Sequence, residues 1–222
     1  MKILASWSSG KDSAWMLHVL NQQHPGSVQG LLTTTNAAFD RVAMHAVRRP
    51  LVEAQARAAR LPLHIVPLPW PCSNEDYDRL MAAEAAARVA DGYTHVAFGD
   101  LFLEDVRAYR ESRMAGTGLT PLFPLWRIAD TRELAHTMIA GGLEARLTCV
   151  DPRVLAPEFA GRRFDASLLA DLPPGVDPCG ERGEFHSFAY AGPMFAEPIA
   201  VEPGERVERG GFVFCDLLAP AS

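Results

Sequence analysis

Up to about residue 150 the chain alternates short apolar runs with amphipathic stretches, at the roughly 30-residue repeat of a strand–helix–strand unit. Few folds satisfy that rhythm. Residues 2–7, 28–35, 63–68, 94–98 and 144–150 read as strands, rich in apolar and β-branched side chains. Residues 13–23, 49–60, 73–90, 104–115 and 130–140 read as helices, ended by His24-Pro25-Gly26, Pro62, Asp91-Gly92 and Gly141-Gly142. Ser73, followed by Asp76, and Asp130 have the positions of N-caps. Residues 119–126 read as a strand or loop interrupted by proline. Strands joined through helices must run parallel, and helices then cover both faces of the sheet. The expected class is α/β, with a parallel sheet of about five strands. Beyond Asp151 proline and glycine become frequent, one short helix covers 165–172, and 185–218 reads as short strands and turns. Residues 1–118 are therefore expected to form the main domain, and 119–222 a smaller C-terminal α+β portion packed on it.

The first strand runs into Ser8-Ser9-Gly10-Lys11-Asp12-Ser13, and a helix follows. Exposed amides at a helix start favour an anion, Gly10 permits close approach, and Ser8, Ser9 and Ser13 add hydroxyl donors. Lys11 adds positive charge. The spacing matches neither the GxxxxGK[ST] loop nor the GxGxxG loop.

Ligands of such sheets lie beyond the carboxyl ends of the strands. Thr33, Thr34, Thr35 and Asn36 end the second strand, at that carboxyl edge. Asp100 follows Gly99 at the end of another strand; with Asp12 it is a candidate magnesium ligand, since that ion takes a few carboxylates plus phosphates. Glu104, Arg107, Tyr109 and Arg110 follow, as substrate contacts or as one side of a helix. Glu181 and Glu184 straddle Gly183 and can hold an amine or take its proton. His186 and His45 are candidate bases near neutral pH. Cys149 and Cys179 are candidate persulfide carriers, or small buried side chains.

Acidic residues outnumber basic ones 27 to 21, for a net charge of -6, which disfavours a general electrostatic grip on nucleic acid. The 4 cysteines form no CxxC pair, which argues against structural zinc and a disulfide framework. No apolar run approaches the length of a membrane span, and the expected setting is the cytoplasm.

The loop resembles the SGGxDS signature of the PP-loop ATP pyrophosphatases, matching at Ser8, Gly10, Asp12 and Ser13, with Ser9 in place of the first glycine. Phe98-Gly99-Asp100, Glu104 to Arg107, the segment Gly180-Glu181-Arg182-Gly183-Glu184-Phe185-His186-Ser187-Phe188 and Gly192-Pro193-Met194-Phe195 narrow the likeness. They are similar to the diphthine–ammonia ligase-like branch, over nearly the whole chain. Archaeal and eukaryotic members carry an EGGE-type motif followed by [FY]ET; ERGEFHS here, with His186 at the acidic position, looks more like a bacterial subgroup.

The resemblance implies an adenine-nucleotide α-hydrolase-like fold, ATP and magnesium as cofactors, and cleavage of ATP to AMP and pyrophosphate. It also implies adenylation of a carboxylate, on a small molecule or a protein side chain, followed by transfer of ammonia or an amine. Lys11, Asp100, Glu181 and Glu184 would be catalytic. Residues Ser8, Ser9, Gly10, Lys11, Asp12, Ser13, Thr33 and Thr34 would hold the nucleotide, and Glu104, Arg107, Gly183, Glu184 and His186 the substrate. A tRNA sulfurtransferase, a non-catalytic ATP-binding regulator and a homodimeric assembly remain open at this point.

Overall fold

The computed structural model describes residues 1–42 and 46–219, so His45 lies outside the described residues. The first sheet comprises β1 (Ile3–Ser6), β2 (Val28–Asn36), β3 (Arg41–Val42), β4 (Leu63–Leu68), β5 (His95–Ala97) and β6 (Thr120–Leu122). Its parallel strands lie in the spatial order β4-β2-β1-β5-β6, and β3 pairs antiparallel with the end of β2. In β1, Ile3, Leu4 and Ala5 are wholly buried, as expected of a central strand covered on both faces.

The helices of this part are α1 (Lys11–Gln23), α2 (Arg49–Ala59), α3 (Asn74–Ala90) and α4 (Glu104–Met114). Ser73 caps α3 by accepting the amide of Asp76 at 3.0 Å. The chain runs from β1 outward through β2 to β4, then crosses back to β5 and outward to β6. Strand order therefore reverses between β1 and β5. That switch point opens a crevice at their carboxyl ends, where residues 8–13 and Gly99-Asp100 lie.

Beyond β6 come α5 (Thr131–Ala140), β7 (Glu144–Val150), α6 (Ala166–Asp171), β8 (Phe185–Ala191), β9 (Glu202–Arg209) and β10 (Phe212–Leu218). Asp130 caps α5 through the amide of Arg132 at 2.9 Å. Residues 144–150 do not extend the parallel sheet. They form β7, inside a second sheet of order β8-β7-β10-β9 whose pairs are all antiparallel. The run is buried on both faces, and a buried strand reads the same whether its neighbours are parallel or antiparallel. The first sheet also reaches past residue 118, because β6 pairs with β5.

Packing on the two faces of the first sheet is unequal. The larger core joins α1 and α2 to α5, β7 and β8 through Trp7, Trp15, Leu17, Met138, Leu147 and Phe188. On the other face α3 buries only Ala85 and α4 buries no residue, over a small cluster around Leu4, Val96 and Phe98. Among the described residues no helix is long and apolar enough to cross a membrane.

Candidate functional site

A cleft of about 700 Å³ opens at the switch point. Its walls include Ser8, Lys11, Asp12 and Ser13 from the loop, Thr33 and Thr34 from β2, Asp100 after β5, and Glu181, His186 and Ser187 from the C-terminal part. Distant segments thus meet at one cavity of the size that accepts a nucleotide-scale ligand.

The loop is held from below. Buried Gln55 accepts from the Trp7 indole at 2.8 Å and donates to the carbonyls of Ser9 at 2.9 Å and Ala189 at 2.6 Å. The Ala189 amide donates to the Ser9 carbonyl at 3.0 Å, and the Lys11 amide donates to the Ser187 hydroxyl at 3.1 Å. β8 is therefore docked on the loop, and the start of α1 is fixed by the second sheet. Above, a Cβ on Gly99 would lie 3.2 Å from the Asp12 carbonyl carbon, so glycine allows the end of β5 to rest on the loop backbone.

Ser9, at the position of the signature's first glycine, has φ 70 and is wholly buried, and its hydroxyl has no hydrogen-bond partner. A left-handed conformation costs a non-glycine residue about 1–2 kcal/mol. An unsatisfied buried hydroxyl adds to that cost, while glycine's greater freedom in the unfolded chain offsets about 0.4–1 kcal/mol. Ser9→Gly is expected to raise stability by about 1 kcal/mol. The check is a higher urea midpoint at unchanged denaturant slope.

Lys11 is 2% exposed. Its ammonium donates to both carboxylate oxygens of Asp12, at 2.9 and 2.8 Å, and to the carbonyl of Cys179. The rings of Phe164 and Phe185 lie 5.5 and 5.4 Å away. Burial alone would lower its pKa, but Asp12 foremost among its charged neighbours reverses this, and the pKa is raised. The loop lysine is thus a strut between the loop and the segment that carries Glu181.

Glu181 accepts the Leu101 amide at 2.8 Å. Burial pushes its pKa up to about 7; the Leu101 hydrogen bond and Lys11 oppose this, while Asp12 and Asp100 add to it. The Asp100 pKa is also raised, first by burial, against the pull of Arg110, with Asp12 adding repulsion. Asp12, Asp100 and Glu181 are therefore electrostatically coupled at one end of the cleft. Among the described residues no group of three or more side chains forms a ready-made metal cage. Asp12 and Asp100 still fit magnesium, which binds through one or two carboxylates and completes its shell with phosphate and water. One Asp100 oxygen is buried against the Arg110 Nε at 3.5 Å, so magnesium would share Asp100 with that guanidinium.

Other candidates fall elsewhere. Glu184 is buried, and its two oxygens accept the amides of Asp177 and Arg182, each at 3.0 Å. It lines a separate cleft of about 440 Å³ and staples the turn instead of joining Glu181. Gly180 and Gly183, with φ 67 and 87, turn the chain between the two carboxylates. Gly183 itself faces open space. Glu104 pairs with Arg127 at 2.6 Å on the surface. Arg107 pairs with Glu111 at 2.8 Å and lies over Phe123 and Trp126. Neither is part of the cleft wall. Thr33 and Thr34 are, with the Thr33 hydroxyl buried and unpartnered.

The candidate thiols are poorly placed for sulfur chemistry. Cys149 and Cys179 are buried, burial pushes Cys149 up to about 12 and raises Cys179 further, and neither lines the cleft. Conversely, Gln55, Ser187 and Arg113 at this site escaped sequence reasoning. Only Gln55 left a signal, as a polar residue on the apolar side of α2 between Leu51, Val52 and Ala58.

Residues 130–217, from the cap of α5 through most of β10, match the family described as diphthamide synthase C-terminal domain. A diphthine–ammonia ligase of Danio rerio is 27% identical, over 93% of this chain and 89% of that protein. The diphthine–ammonia ligases of Bos taurus and Rattus norvegicus are each 23% identical, over 98% of this chain and 89% of theirs. The similarity covers nearly all of the chain, and the C-terminal domain family is matched over residues 130–217, so this chain is similar to the diphthine–ammonia ligases.

Proposed function

We propose that the chain is an ATP-dependent ligase that forms an amide, releasing AMP and pyrophosphate. The observation that carries this reading is the convergence of the loop, Asp100 and Glu181 on one cleft, in a chain similar along its length to enzymes named diphthine–ammonia ligase. Residues 8–13 cradle the β- and γ-phosphates, and the adenine lies against Thr33 and Thr34. An oxygen of the acceptor carboxylate bonds to the α-phosphorus, the bond to the bridging oxygen breaks, and pyrophosphate leaves with the electron pair. Ammonia or an amine then bonds to the acyl carbon, AMP departs, and Glu181 takes the proton that nitrogen loses. Magnesium, when bound by Asp12 and Asp100, draws negative charge from the phosphates. Residues 1–118 supply the nucleotide site and residues 119–222 the acceptor side. The acceptor is a carboxylate of the kind the relatives' name describes, on a small molecule or a protein side chain.

The test is product analysis with ATP, magnesium, ammonium and candidate carboxylate acceptors, a diphthine-bearing protein among them. The expected products are AMP and pyrophosphate, in step with amide. Formation of ADP and phosphate would refute adenylation. Tight ATP binding without turnover by any acceptor would favour a regulator.

A further inference from the structure

Three long cationic side chains line the cleft among the described residues: Lys11, Arg110 and Arg113. Two of them are tightly engaged. The ammonium of Lys11 is enclosed by Asp12, the Cys179 carbonyl and two aromatic rings. Arg113 pairs with Asp78 at 2.9 Å. Arg110 is held more loosely, in an ion pair with Asp100 of 3.5 Å at its Nε. That Nε and the facing Asp100 oxygen are buried against each other at this long distance. A charge-assisted hydrogen bond is normally about 2.7–2.9 Å, so this pair is weak and leaves the guanidinium's charge for a ligand in the cleft.

The position of Arg110 is set by packing. Its guanidinium lies over the Phe98 ring, 4.9 Å from the centroid. Phe98 directly precedes Gly99, whose missing side chain lets this segment rest on the Asp12 backbone. The guanidinium is therefore held beside Asp100, on the face of the sheet opposite α1. A triphosphate seated with its terminal groups on residues 8–13 and its base at Thr33 and Thr34 has its α-phosphate between those ends.

We propose that Arg110 grips the α-phosphate of ATP and of the adenylate. It would stabilise the charge that builds there as pyrophosphate departs, in a subsite distinct from the pyrophosphate cradle. This inference rests on the nucleotide reading above and adds one residue with one role. A planar guanidinium suits two phosphate oxygens, and a preorganised cation at developing charge costs no reorganisation.

Titration calorimetry with AMP and with pyrophosphate separates the two subsites. Arg110→Gln is expected to weaken AMP by about tenfold or more and to leave pyrophosphate affinity unchanged. Arg110→Lys, which keeps the charge without the planar fork, is expected to lose less, and it carries the test if the glutamine variant loses its thermal transition. Unchanged AMP affinity would overturn the assignment while leaving the ligase reading intact, and would give Arg110 to the acceptor carboxylate. A parallel loss of AMP and pyrophosphate would overturn it too, as a general structural effect. A wild-type chain that binds neither probe would remove the nucleotide reading and this inference together.

Discussion

Glu181→Gln is expected to slow amide formation by about two to four orders of magnitude while ATP binding persists. Glutamine keeps the shape and can still accept the Leu101 amide, so the change removes proton acceptance and little else. With Glu181 raised to about 7, the rate in the wild type is expected to climb with pH through that region, because the base must be ionised to act. Asp100, whose pKa is also raised, repels the ionised form of Glu181, so the midpoint belongs to the pair.

The stability effect has a definite sign. The folded-state pKa lies above the unfolded value of 4.5, so folding favours the protonated form. That contribution is present below about pH 4.5 and is lost as pH rises toward 7. Glutamine escapes the loss, and the variant is expected to melt no lower than wild type at pH 8. A variant that melts normally and forms amide at the wild-type rate would remove Glu181 from the chemistry.

Lys11→Met is expected to destabilise the fold by about 3 kcal/mol, measured as a lower denaturant midpoint. Methionine preserves most of the stem, but the Asp12 carboxylate and the Cys179 carbonyl lose their common donor. Breaking a buried pair by removing one partner costs about 3–5 kcal/mol, and Asp12, at 28% exposure, recovers part of that by rehydrating. Because the lysine pKa is raised in the folded state, its contribution is complete at neutral pH and falls away only as pH rises through that alkaline value. A loss of ATP affinity at unchanged stability would instead make Lys11 a phosphate ligand whose strut role is minor. Retention of both stability and affinity would deny it either role.

The two prominent glutamates show where sequence reading reached its limit. Glu181 and Glu184 look equivalent in ERGE, yet one faces the cleft and the other binds two amides of its own turn. The direction of each follows from left-handed glycines at 180 and 183. At Gly180 this is enforced, since a Cβ there would sit 2.9 Å from the Phe185 carbonyl. A motif carries residue types, whereas side-chain direction depends on dihedral angles set by packing. Arg107 and Arg110 pose the same problem on α4. They are about 300° apart in rotation, or one sixth of a turn net. No residue of α4 is buried, so apolar periodicity could not say which arginine faces the cleft.

What the chain determined by itself is local. Apolar runs and caps specified strands and helices, and the strand–loop–helix of residues 3–23 marked a candidate anion site, because backbone amides at a helix start behave alike in any surroundings. The parallel part of the first sheet follows from the helical connections. Tertiary structure alone decided that β7 pairs with β8 and β10, that Ser187 and Ala189 dock on the loop, and that Lys11 reaches Cys179, 168 residues away. Those choices depend on complementary surfaces brought together from distant segments, and no spacing within one segment encodes its partner.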